Sequence, residues 1–75
     1  MKIYILTCIN EDSELVFCKA YKTRCLANAD MLMYLENERE EFIGSPGHYC
    51  NIGDLGAAIG DETRCYVYYI TEDEL

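Results

Sequence analysis

All five glycines and the single proline of this 75-residue chain fall between Gly44 and Gly60. The segment from Arg24 to Phe42 therefore holds nothing that breaks a helix. Leu26, Ala27, Met31, Leu32, Met33, Leu35 and the glutamates are good helix formers, Thr23 stands where an N-cap belongs, and Gly44 followed by Pro46 is a stop. The spacing predicts a helix over 24–42. No Glu or Gln stands three positions beyond Thr23, so a capping box is missing. At about 100° per residue, Ala27, Met31, Tyr34, Leu35 and Phe42 share one side, and Leu26, Ala29, Leu32 and Met33 gather on another. The early turns are thus apolar around much of the circumference, whereas Glu36 to Glu41 is nearly all polar.

On either side of the helix the pattern changes to strands. Residues 2–9 are rich in β-branched and aromatic side chains, Asn10-Glu11-Asp12-Ser13 is a turn cluster, and 14–22 reads as the returning strand of a hairpin. Residues 64–71 read as the last strand, followed by an acidic tail. In the first strand Ile3 and Ile5 alternate with Tyr4, Leu6 and Cys8, so neither face is polar. Such a strand is expected in the middle of a small sheet with something packed on each side. Residues 44–63 read as a Gly-rich loop, in which Asp54 would cap a short helical turn through Leu55–Ile59 closed by Gly60. The expected fold is α+β, a single domain over 1–75 in the order β-β-α-(long loop)-β. One helix would pack across a three-stranded antiparallel or mixed sheet.

Composition bounds the function. Hydrophobic residues make up 51%, which suits a folded chain, and a domain this short spends nearly all of them on one core. Six Lys+Arg against 14 Asp+Glu give a net charge of −8, which argues against direct binding of nucleic acid or an anionic membrane, both polyanions. No apolar run approaches the ~18 residues of a membrane span. Asn10, Glu11 and Asp12 interrupt the N-terminal apolar run before a signal peptide could form, so a cytoplasmic location is expected. The odd count of five cysteines fits reduced thiols there, and Cys8, Cys18 and Cys65 lie in apolar strand-like runs as small hydrophobes.

Few residues suggest reaction chemistry. The glycines match neither a P-loop nor a dinucleotide fingerprint, and turn geometry accounts for them. His48 and Cys50 are the candidate zinc ligands, with Cys65 or Cys25 to complete a site, but the paired spacing of zinc modules is absent. As a nucleophile pair they lack an orienting acid. No enzyme activity and no cofactor are therefore expected.

Acidic clusters are harder to dismiss: Glu36, Glu38, Glu40 and Glu41; Asp61 and Glu62; Glu72, Asp73 and Glu74. They suit either plain solvation or recognition of a basic surface on a protein partner. Tyr34, Glu38, Glu41 and Phe42 of the helix, with Asp61 and Glu62 beside the last strand, form the expected partner-binding set. The alternatives are an obligate homo-oligomer, such as a homodimer meeting through Met31, Met33 and Tyr34, and a Cys/His metal-binding module.

The opening strand Met1-Lys2-Ile3-Tyr4-Ile5-Leu6-Thr7, the hairpin, the Thr-capped helix and the final strand resemble small proteins of bacteriophages and mobile elements. That class includes inhibitors of host defence, among them anti-CRISPR proteins. The resemblance implies a compact, acidic, non-enzymatic inhibitor that covers a nuclease or other nucleic-acid surface in the host cytoplasm. The long Gly-rich segment departs from the plainest members.

Overall fold

A hairpin begins the molecule. In a computed structural model describing residues 1–74, β1 (Lys2–Asn10) returns antiparallel as β2 (Leu15–Tyr21). Asn10 shapes the turn: its side-chain oxygen accepts from the backbone N–H groups of Asp12 and Glu14, each at 3.0 Å, while Ser13 takes a positive φ of 61°. The pairing register shifts between Cys8 and Ile9, a bulge beside that turn.

The helix α1 (Arg24–Phe42) starts where its sequence says it should. Thr23 is extended, and its hydroxyl accepts from the Leu26 N–H at 3.2 Å, satisfying one of the open donors of the first turn. At the other end the Ile43 N–H bonds the Arg39 carbonyl, and Gly44 follows with φ of 83°. Ala27, Met31, Leu35 and Phe42 are the buried residues, one stripe at i, i+4 and i+8 with Phe42 two turns further on. The other apolar side of α1 stays in water, Leu26, Leu32 and Met33 all being exposed.

The 44–63 segment is where the expectation of a loop fails. It folds as a second hairpin, β3 (Tyr49–Ile52) and β4 (Gly56–Gly60), and β4 pairs with β5 (Cys65–Glu74). The short helical turn expected over Leu55–Ile59 is a strand instead. Ala57 and Ile59 point into the core and Gly56 and Ala58 away from it, a period of two that no helical turn can supply. The sheet accordingly has five antiparallel strands rather than three, in the order β2-β1-β5-β4-β3, and it does not close. The acidic tail also joins it, since Glu72, Asp73 and Glu74 pair with Tyr4, Ile3 and Lys2.

One face of the sheet meets α1. Leu6 and Cys8 of β1, Ala57 and Ile59 of β4, and Tyr68 and Ile70 of β5 join the four helical residues in one core. Phe17, Tyr34 and Tyr68 form an aromatic group there, with Phe17 and Tyr34 ring centroids 4.6 Å apart. Tyr21 reaches the helix from the edge, its hydroxyl donating to Asp30 Oδ2 at 2.6 Å. The other face carries Ile3, Ile5, Thr7 and Ile9 of β1 and Val67 and Tyr69 of β5, and among the described residues no element covers it. The two-sided packing expected for β1 is therefore met on one side only. Among the described residues no helix is long and apolar enough to cross a membrane.

Candidate functional site

The C-terminal turns of α1 and the β4–β5 turn meet at one end of the molecule. Arg64 joins them: its guanidinium lies 3.7 Å from the Glu41 carboxylate and stacks over the Phe42 ring, 4.6 Å from its centroid. Both partners of that ion pair are largely in water, so its worth is at most ~1 kcal/mol and its main effect is to set where the carboxylate stands. Phe42 lies beneath, 1% exposed and edge-on to Tyr66 at 6.2 Å. It supports this end from the core and is not a surface anchor.

Asp61 braces the turn. Its Oδ1 accepts from the Thr63 N–H and hydroxyl, each at 2.8 Å, and from the Arg64 N–H at 3.0 Å. These bonds favour the ionised form, and the backbone N–H of Thr63 does most to hold the carboxyl below its usual range. Glu62 is exposed and its side chain lies against Gly47, where an added Cβ would sit 2.6 Å from Glu62 Cγ. Gly47 itself has a φ of 73°, so the loop passes under Glu62 in a conformation glycine adopts without strain.

Glu38 and Tyr34 stand further along the helix, half-buried. The Glu38 carboxylate turns inward toward the hydroxyl of fully buried Tyr68, with the Cys8 thiol in the same group. Glu38 Oε2 and Tyr68 Oη are both buried, and among the described residues neither has a hydrogen bond of good geometry. Burial raises the Glu38 pKa, Tyr68 and Arg64 oppose that rise, and Glu41 adds to it. Burial likewise pushes the Cys8 thiol up to about 11, so it stays protonated and unreactive.

Of the six residues expected to bind a partner, Glu41 and Glu62 thus present exposed carboxylates, that of Glu41 beside the Arg64 guanidinium. Asp61 is committed to the turn, Glu38 and Tyr34 are half inside, and Phe42 is in the core. Two residues were missed. Arg64 organises this end, and Glu11 reaches across from the β1–β2 turn to accept from the Cys65 N–H at 3.4 Å. The available signal was that Arg64 is the only Lys or Arg after Arg39, set two residues beyond Glu62. The third acidic cluster lies at the far end of β5, where Glu72 pairs with Lys2 at 3.2 Å.

The Cys/His candidates come out scattered. His48 Nδ1 is 3.2 Å from the Ser45 carbonyl oxygen, Cys50 is exposed on β3, and Cys25 is exposed on α1. Among the described residues no three of His, Cys, Asp and Glu gather closely enough to hold a metal ion. His48 and Cys50 line a shallow cavity of about 310 Å³ with Arg39, Phe42, Tyr49 and Ile59. Comparison of the chain with protein-family models, curated proteins and solved structures found no match.

Proposed function

We propose that the protein acts by stoichiometric contact with another protein, presenting the acidic end built by α1 and the β4–β5 turn to a basic surface. The observation that carries this reading is the 3.7 Å contact of Arg64 with Glu41, which joins two segments distant in sequence and sets Glu41 and Glu62 at one end. The guanidinium groups of Arg64 and of Arg39 in the last turn of α1 offset only part of the carboxylate charge there, and the chain as a whole carries −8. Such a surface attracts a cationic partner over a Debye length, about 8–10 Å, and repels nucleic acid. In its sharper form the partner is a nucleic-acid enzyme such as a nuclease, whose phosphate-binding groove the carboxylates would occupy. That makes the protein an inhibitor of the kind its bacteriophage-like pattern suggested.

The test is a pull-down from host lysate with the wild type and the Glu41→Lys/Glu62→Lys variant, washed at low and high salt. Both side chains are exposed, so the variant should keep its fold. Glu38 is a poorer probe, because a lysine there would bury a charge against Tyr68. A nucleic-acid enzyme that is released at high salt and lost from the variant supports the proposal. Equal capture by both proteins, or no capture, overturns it.

A further inference from the structure

The open face of the sheet is a second, separate surface with a different chemistry. By register it carries Ile3, Ile5, Thr7 and Ile9 from β1, Val67, Tyr69 and Thr71 from β5, Cys18 and Ala20 from β2, and Ala58 from β4. Among the described strand residues the one charged side chain on this face is Asp73, at the rim opposite Ile3. We propose that a second copy of this chain covers the face, giving a two-sheet sandwich with the two helices on the outside.

Three observations select a second copy as the occupant. First, charge: in a chain of −8, this is the broad face on which each copy brings a single carboxylate, Asp73, and that one stands at the rim. The acidic groups sit on the helix side and at the ends. A cationic protein would find almost nothing to pair with here. Second, area: at about 3.3 Å per residue and 4.8 Å between strands, the face has a footprint of about 550 Å². Two copies thus remove about 1,100 Å² before side-chain relief is counted, enough for a specific interface. Third, the pattern of β1: a strand apolar on both faces is covered by α1 on one face only. Face-to-face sheets pack about 10 Å apart, and here Ile3, Ile5, Val67 and Tyr69 would interdigitate beside the small side chains of Ala20 and Ala58.

This inference stands apart from the acidic-end proposal, since Glu41 is on α1 and Glu62 in the β4–β5 turn, neither of them among the strand residues of this face. The test is sedimentation equilibrium over about 1–200 μM, a range that brackets ordinary dimer affinities. The expected mass is twice the 8.6 kDa of the chain. Val67→Lys puts like charges in the middle of the sandwich and should give a monomer. Ala20→Lys does the same from an exposed position on β2 that a folded monomer tolerates, so it decides the matter where Val67→Lys fails to fold. Two native thiols supply a second reading, with Cys18 on the open face and Cys25 on α1, both exposed in the single chain. Alkylation of Cys18 should slow as protein concentration rises, while that of Cys25 stays constant. A wild-type monomer throughout the range, a dimer indifferent to Ala20→Lys, or Cys18 labelling independent of concentration overturns the proposal.

Discussion

Replacing Glu38 by glutamine should make the protein more stable near neutral pH and flatten its stability over the mildly acidic range. Burial favours the neutral acid, so the folded-state pKa of Glu38 lies above its ordinary value. Between those two values the folded protein holds a proton that the unfolded chain has released. Stability from this group therefore rises as pH falls through the folded pKa, and levels off below the ordinary one. That is the reverse of a carboxylate held in an ion pair. The groups facing Glu38 are Tyr68 and Cys8 from the sheet, Glu41 from its own helix and Arg64 from the β4–β5 turn. A buried oxygen without a partner costs about 1–3 kcal/mol, and the half-exposed side chain puts Glu38 toward the lower end. With an m-value of about 1 kcal/mol per molar urea, a gain of about 1 kcal/mol moves the midpoint up by about 1 M. Urea titrations of both proteins at one fixed concentration, from about pH 4.5 to 7.5, read this directly. Acidification also relieves the general repulsion of a −8 chain, but both proteins share that term, so the difference between them isolates Glu38. An E38Q protein no more stable than the wild type near pH 7, or with an unchanged pH slope, would refute the reasoning.

Other perturbations have equally definite outcomes. Gly60→Ala would set a methyl 2.5 Å from the Arg64 carbonyl oxygen and 2.7 Å from the Cys65 Cα, both backbone, so it should cost more than ~2 kcal/mol in urea unfolding. Gly44→Ala, with nothing within 4 Å of the added carbon, pays only for its φ of 83° and should cost ~1 kcal/mol. Tyr21→Phe removes the 2.6 Å bond to Asp30 and should lower stability by ~1 kcal/mol in the same assay. Iodoacetamide followed by mass spectrometry should label Cys25 and Cys50 early and Cys8 only on unfolding, because Cys8 is fully buried and that burial pushes its thiol up to about 11.

The helix was legible to the residue because its signals are local: a threonine cap, an unbroken run of helix formers, and a glycine and proline stop. Spacing grouped Ala27, Met31, Leu35 and Phe42 on one side but offered a second apolar side through Leu26, Leu32 and Met33, and only packing against the sheet decides that the first is buried. The same burial undoes the dimer contact expected through Met31, which is fully inside. β3 and β4 were missed because Gly56-Ala57-Ala58-Ile59-Gly60 is poor in β-branched residues and rich in glycine, as a turn would be. Tertiary context overrides that propensity. Of the small residues only Ala57 faces α1, while Gly56 lies against β5, where an added Cβ would sit 3.0 Å from the Tyr68 carbonyl oxygen and 3.9 Å from the Tyr69 Cβ. The legible clue was Gly53-Asp54 between two short runs, a hairpin signal. In the acidic site, composition supplied the clusters but could not say which carboxylates face water. Asp61 spends its oxygen on three donors and Glu38 turns inward, choices set by the β4–β5 turn and by Tyr68.

The position of β5 has a consequence for how the protein is made. β1 forms a hairpin with β2 within its first two dozen residues, and α1 needs only local contacts, so both can assemble early. The other edge of β1 belongs to β5, through pairs such as Leu6 with Ile70, which lie more than sixty residues apart. While the ribosome is still translating the segment between them, that edge of β1 is bare, with Ile3, Ile5 and Ile9 beside its unpaired backbone. A nascent chain is therefore most prone to pair with its neighbours on a polysome in this interval. The acidic residues of β5 that finally close the edge, Glu72 to Glu74, leave its outer end charged and ill-suited to recruit another strand.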